Sequence, residues 1–257
     1  MHTSSASPAP ESRFSDRVAN YVRFRPGYPA EVLEILRRET GLGPESAVGD
    51  IGSGTGISSA MLLQSGCTLY AVEPNADMRG AAEQMLSGEV RFYSVTGSAE
   101  ATTLPEASLD LVTAAQAFHW FKPEPTRVEF TRILKPDGWV ALVWNVRKVD
   151  GTPFLHAYEN LLLDCGTDYS QVRHENIGLE QLGGFFKGGA YTTFVVPHAQ
   201  QFDFEGLKGR LLSSSYAPAP GHPRHEAMLT ELEEIFEKTN NGGSVAFEYD
   251  TQVFIGK

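Results

Sequence analysis

V-G-D-I-G-S-G-T-G, residues 48–56, sets one acid and three alternating glycines behind a hydrophobic run. Glycine at 52, 54 and 56 allows positive φ and lets a ligand come where any Cβ would collide. Ile57 to Gln64 then opens a helix, so the stretch reads as a strand, a cofactor loop and a helix start. An ordinary tight turn is the alternative for the glycines taken alone. A dinucleotide fingerprint, G-x-G-x-x-G/A, needs its third small residue at position 57, and Ile57 stands there. The spacing is instead G-x-G-x-G, with Asp50 two residues ahead.

The elements around this loop alternate, as a parallel sheet covered by helices requires. Val32, Leu33, Ile35 and Leu36 predict a helical face ended by Gly41 and Gly43, followed by a strand at Ala47–Ile51. Leu69–Val72 predicts a second strand closed by Glu73 and Pro74, and Asn75 is the expected N-cap of a helix through Met85. Further strands are expected at Val90–Val95, Leu109–Ala115 and Trp139–Trp144, with a helix at Val128–Leu134 stopped by Lys135-Pro136-Asp137-Gly138. Beyond Asn145 the pattern changes. Phe154, Tyr158, Leu161 and Leu162 predict an amphipathic helix, then come Gly183-Gly184, Gly188-Gly189 and a β-like Tyr191–Val196. Met228, Leu229, Leu232, Ile235 and Phe236 predict a last helix, followed by an alternating strand, Ser244–Ile255, expected antiparallel at the sheet edge. The expected fold is a Rossmann-like, doubly wound α/β sheet of about seven strands, mostly parallel, the final two antiparallel. Its divisions are a flexible tail at 1–12, a core with a cover segment at 13–146, a lid or acceptor-binding insertion at 147–216, and a closing helix and strand at 217–257.

A chain of 257 residues, 41% hydrophobic, buries a full core and suits one domain with an elaboration. Its net charge of −11 repels phosphate backbones, which argues against a nucleic-acid substrate. Cys67 and Cys165 stand alone without a C-x-x-C, which points to a reduced, cytoplasmic setting. Met1–Ser12, rich in Ser, Ala and Pro, has neither a basic start nor an apolar stretch and reads as a flexible tail. No stretch approaches a membrane span. His156, His174, His198, His222 and His225 show no metal-ligand spacing, so no metal is expected; His222 and His225 read as a helix start at the surface. A monomer or a homodimer is expected.

D-I-G-S-G-T-G at 50–56, A-V-E-P-N at 71–75, G-S-A-E at 97–100, A-Q-A-F-H-W-F at 115–121 and R-I-L-K-P-D-G-W at 132–139 follow one another in a specific order. With Y-V-R-F-R-P-G-Y-P at 21–29, they resemble the small-molecule branch of the class I S-adenosylmethionine (SAM)-dependent methyltransferases, the type 11 and trans-aconitate methyltransferase-like groups. The motifs cover about half of the chain and are specific to the cofactor, not to the methyl acceptor. The resemblance implies SAM as cofactor, S-adenosylhomocysteine (SAH) as its product and a small molecule as partner. Asp50 would then accept from the SAM ammonium, while Gly52, Ser53, Gly54 and Gly56 pass close to its methionine and ribose. Ser53 stands where relatives often carry Cys. Glu73 is placed to accept both ribose hydroxyls beside Pro74, and Met78 packs on the adenine face or simply in the core. Ser98 and Ala99 would read the adenine edge with Glu100 further out; relatives are often acidic at the position of Ser98, which implies a weaker or water-mediated contact. Gln116 completes the cofactor set. Tyr21 and Arg25 lie in the cover segment, where Arg25 clamps a carboxylate of SAM or of the acceptor; a surface ion pair and a packed tyrosine are the alternatives, and Arg23 is less favoured.

Methyl transfer is an in-line displacement, so most of the acceleration comes from alignment and from excluding water. A base is needed only when the acceptor keeps its proton near neutral pH. His119 is the candidate base. Alternatively His119 and Trp120 wall the pocket, presenting a hydrogen bond and an aromatic face. Trp144 and Tyr216 are further expected acceptor contacts, with a buried core tyrosine as the alternative for Tyr216. The expected acceptor atom is an oxygen of a carboxylate or hydroxyl. A nicotinamide-dependent oxidoreductase on a similar fold, disfavoured by Ile57 and by the nearness of Asp50, and a non-catalytic SAM-binding protein are the competing readings.

Overall fold

Apolar periodicity sets helix α1 (Ala30–Thr40), which buries Val32, Leu33, Ile35 and Leu36 and stops at Gly41, whose N–H returns to the carbonyl of Arg37. The computed structural model describes residues 23–167, 169, 182 and 185–257. Tyr21, the Met1–Ser12 tail, His174 and the Gly183-Gly184 pair lie outside the described residues.

Strands β1 (Ala47–Ile51), β2 (Thr68–Val72), β3 (Phe92–Val95), β4 (Leu109–Ala115), β5 (Leu134–Arg147), β6 (Tyr191–Phe202) and β7 (Val245–Gly256) form one sheet in the order β3-β2-β1-β4-β5-β7-β6. β1 to β5 run parallel, and β7 is antiparallel to both β5 and β6. The closing strand therefore enters the interior of the sheet, pairing Val140 with Gly256 on one side and Tyr191 with Gly256 on the other, and β6 forms the margin. Side-chain chemistry explains this departure from the expected edge position. β7 buries Val253 and Ile255 on one face and Phe254 on the other, which only a strand covered on both sides does. β6 carries Pro197 and a largely exposed Val195, features suited to an edge.

The two faces follow the alternation of β5. Val140, Leu142 and Trp144 meet Phe130 and Ile133 of α4 (Pro123–Ile133), whereas Ala141 and Val143 meet α1 and α2 (Ile57–Leu63). Trp144, expected in the acceptor wall, is held in this core edge-on to Phe118 and Phe254, at 6.1 and 5.7 Å between ring centroids. Helix α3 (Ala76–Met85) is capped by Asn75, whose side chain accepts from the Met78 N–H. Helices α5 (Pro153–Cys165), α6 (Phe204–Leu212) and α7 (His225–Thr239) build a third cluster on the first half of β7, centred on Tyr158, Leu162, Leu211, Leu232 and Phe247. The described part of 147–216 is thus divided between this helical layer and sheet strand β6, whereas the sequence suggested one inserted lid. His225 starts α7 as expected, but it is buried, its Nδ1 lying 2.8 Å from the carbonyl of Pro218. Among the described residues no helix is long and apolar enough to cross a membrane, and no group of three His, Cys, Asp or Glu side chains could hold a metal.

Candidate functional site

The strand order reverses between β1 and β4, and the loops leaving the carboxyl ends of β1 to β5 surround a cavity of about 270 Å³ at that point. The loop after β1 is tied down by its backbone. Gly52 and Ser53 donate to the carbonyl of Val72 at 2.8 and 3.2 Å, and Gly54 donates to Glu73 Oε2 at 2.9 Å. Gly54 and Gly56 are left-handed, with φ of 56° and 87°. A Cβ on Gly56 would press on Ala82, Met85 and Leu86, whereas one on Gly54 would meet only Met78 Sδ, at 3.8 Å, and otherwise stand in the cavity.

Glu73 leaves β2 buried, its Oε1 accepting from the Asn75 N–H at 2.8 Å. Burial pushes its carboxyl upward, against the N–H groups of Asn75 and Gly54, which pull it down. Two hydrogen bonds leave it further lone pairs, since an ionised carboxylate offers about four acceptor sites. Asp50 is placed differently from the expectation. It is fully buried and does not line the cavity; its carboxylate accepts from Ser58 and Ser59 Oγ at 2.7 Å and from Thr113 Oγ1 at 3.2 Å. It therefore anchors the first turn of α2 to β1 and β4, holding the loop from behind.

Pro74, Met78, Ser98, Ala99 and Glu100 line the same chamber, with Glu100 Oε1 accepting from the Lys122 N–H at 2.9 Å. Gln116 follows β4 with φ 56°, a region that non-glycine residues seldom occupy. Its Nε2 donates to the carbonyl of Asn145, and its Oε1 is buried without a hydrogen-bond partner among the described residues, as is Ser53 Oγ. Polar atoms of this kind are the sort a polar ligand satisfies.

A single 3₁₀ turn, Phe118–Trp120, carries the next pair. Phe118 is buried in the core, which turns His119 and Trp120 to the cavity, their rings 4.8 Å apart. The His119 ring is accessible to solvent on one flank, but the protein enclosing its other sides, together with the Arg25 charge, lowers its pKa to about 4. Arg25 lines the cavity and donates to the carbonyl of Ser213 at 3.1 Å. The cover segment is also held by Asn145, which donates to the Gly27 carbonyl and accepts from Thr251 Oγ1.

The far wall contains residues to which the sequence reading gave no role: Asn145, Arg147, Tyr169, Arg210 and Tyr249, beside the expected Tyr216. Arg147 pairs with Glu159 and donates to Tyr169 Oη at 2.7 Å. Arg210 donates to Tyr249 Oη at 3.1 Å and Ser214 Oγ at 3.0 Å. Burial raises the Tyr216 pKa, but the charges of Arg210, Arg147 and Arg25 outweigh it and bring the phenol below its ordinary value. One signal was legible for Arg210: it sits three residues after Leu207 and next to Leu211, on the buried face of α6.

Residues 49–142 match the family model described as a methyltransferase domain. A Schizosaccharomyces pombe protein described as uncharacterized and methyltransferase-like is 33% identical over 94% of this chain and 93% of its own. A malonyl-[acyl-carrier protein] O-methyltransferase from a Marinomonas species is 23% identical over 88% of this chain and 85% of its own. A solved structure from Anaeromyxobacter dehalogenans, described as a candidate type II methyltransferase, shares the fold at a TM-score of 0.68 and 20% identity, over 91% of this chain and 98% of that one. With the glycine loop at the switch point and the 33%-identical Schizosaccharomyces pombe relative aligned along nearly its whole length, the chain belongs to the class I SAM-dependent methyltransferases.

Proposed function

We propose that the enzyme transfers a methyl group from SAM to an oxygen of a small molecule, a carboxylate or a hydroxyl, by in-line displacement. The observation that carries this reading is that the glycine loop and the arginine-bearing wall line one cavity, so a donor and an acceptor share a single chamber. When bound, SAM supplies a methyl carbon already activated by a positively charged sulfur. Gly54 offers it an unobstructed backbone, Glu73 offers spare lone pairs to ribose hydroxyls, and Ser98 and Ala99 border the adenine. Ser53 Oγ and Gln116 Oε1 are buried polar atoms without a hydrogen-bond partner among the described residues, which fits a ligand rich in polar groups. Met78 and Pro74 add apolar wall, and Asp50 acts through the helix it anchors.

His119 serves better as wall than as base. With a pKa of about 4 it is a feeble proton acceptor near neutral pH, where general bases work best with a pKa close to the medium. A carboxylate acceptor arrives deprotonated and asks for no base, which favours it over a hydroxyl. The O-methyltransferase among the relatives is consistent with that preference. Trp120 and Tyr216 then exclude water and shape the acceptor's space. The test is incubation with methyl-labelled SAM and a fractionated metabolite extract, followed by mass spectrometry of whatever gains one methyl group. A product whose label is released by mild alkali is a carboxylate ester, and one that resists is an ether. Label found on nitrogen or carbon, or on no small molecule, overturns the proposal.

A further inference from the structure

Asn145 stands near the carboxyl end of β5 with 3% of its surface exposed, and it touches three parts of the molecule. Its Nδ2 donates to the Gly27 carbonyl at 3.0 Å, its Oδ1 accepts from Thr251 Oγ1 at 2.7 Å, and its backbone carbonyl accepts from Gln116 Nε2 at 3.0 Å. Thr251, opposite Asn145 on β7, is fully buried and lies 3.1 Å from Nδ1 of His198 on β6.

The protons of this chain are fixed from one end. A peptide carbonyl can only accept, so the Gly27 oxygen turns the Asn145 amide nitrogen toward itself and the amide oxygen toward Thr251. The amide oxygen can also only accept, so the single hydroxyl proton of Thr251 goes to Asn145. Thr251 then has no proton for His198, and His198 Nδ1 is the donor. The other ring nitrogen agrees: Nε2 is buried without a hydrogen-bond partner among the described residues, where an added N–H would go unsatisfied. Burial lowers the His198 pKa against the pull of Asp250 and Glu31, which keeps the ring neutral near pH 7. The same ring stacks on Tyr249, with centroids 5.1 Å apart.

We propose that His198 and Thr251 are positioning residues for methyl transfer: by fixing the proton order of this chain they set the Asn145 amide, which latches the cover segment at Gly27 over the cavity. This rests on the methyltransferase reading of that cavity. Arg25, Pro26 and Tyr28, on either side of Gly27, line the same chamber as Gly54 and Glu73, so a segment held down at Gly27 keeps the cofactor in and water out. Neither His198 nor Thr251 lines it, so their effect on the cofactor passes through the residues they touch.

The experiment times SAH dissociation from the immobilised full chain. Thr251→Val removes the hydroxyl, and His198→Phe removes the Nδ1 donor while keeping a ring on Tyr249; each releases SAH about 5-fold or more faster, as expected for the loss of about one hydrogen bond. Thr251→Ser keeps the hydroxyl, and His198→Asn places an amide nitrogen where Nδ1 stood; both stay within about twofold of the unaltered rate. A merely structural role predicts the opposite order at position 198, because Phe keeps the ring stack and Asn loses it. Nitrogen-15 NMR of the histidine rings, assigned through the His198 variants, shows the Nδ1–H tautomer with or without SAH. If the unaltered chain fails to bind SAH, the methyltransferase reading fails, while the tautomer still tests the chain of protons. If His198 carries its proton on Nε2, if a folded Thr251→Val releases SAH at the normal rate, or if His198→Phe is normal and His198→Asn fast, the latch is wrong. The His198 pair decides alone should the Thr251→Val protein not fold.

Discussion

Alanine placed at Gly54 and at Gly56 should separate loop stability from cofactor binding. Both residues are left-handed, so a Cβ at either costs about 1–2 kcal/mol. At Gly56 the new methyl would also stand 3.1–3.2 Å from Ala82, Met85 and Leu86, adding an overpacking cost of about 1–3 kcal/mol. At Gly54 the nearest atom is Met78 Sδ at an ordinary 3.8 Å, so nothing is added in the free protein. For a domain of this size each kcal/mol lowers Tm by about 2–4 °C. Gly54→Ala is therefore expected to melt about 2–8 °C low and Gly56→Ala about 4–20 °C low. Affinity should run the other way. With the cofactor seated against this loop as proposed, the methyl at 54 occupies space that it needs, and overlap worth about 1–3 kcal/mol weakens SAH about 5- to 150-fold, more than the change at 56 does. Differential scanning fluorimetry and SAH calorimetry on the two variants measure both quantities. Wild-type SAH affinity in Gly54→Ala would refute the placement of the cofactor against this loop.

His119→Ala should lower kcat less than about 10-fold, whereas loss of a general base costs about 100- to 10,000-fold; a drop of that size in steady-state assays rules out the wall role. The same residue links folding to pH: its pKa is about 4 folded against 6.5 unfolded, so the unfolded chain takes up the proton first and stability falls as pH drops through that window. His119→Gln should flatten that slope in denaturant titrations at stepped pH. Glu129 is held at about 2 by Arg132, against its own burial, with help from Thr102; its contribution is full above about 4.5 and is lost as pH falls toward 2. Glu129→Gln should cost about 1–3 kcal/mol at neutral pH and less near pH 3, measured by urea unfolding. Glu159→Ala leaves the buried Arg147 without its carboxylate and should cost about 3–5 kcal/mol; an unchanged Tm would contradict the pairing.

The elements that were legible are those whose signals are local. β1 and β4 occupy the residues expected because each is an apolar run closed by turn residues, and Asn75 caps α3 through the side-chain bond its position predicts. The position of β7 was not legible. Which neighbours a strand chooses depends on partners far away in sequence, and only the burial of Val253, Phe254 and Ile255 on both faces hinted at an interior place. Trp144 was misplaced because its aromatic chemistry was weighed above its parity with Val140 and Leu142. Asp50 shows the complementary case. Its cofactor-loop context suggested a ligand contact, yet Ser58 and Ser59, eight and nine residues on, already supply its nearest donors, while Thr113 comes from a strand that only the fold brings close. The far wall of the cavity was least visible, since Arg147, Tyr169, Arg210 and Tyr249 come from four separate segments.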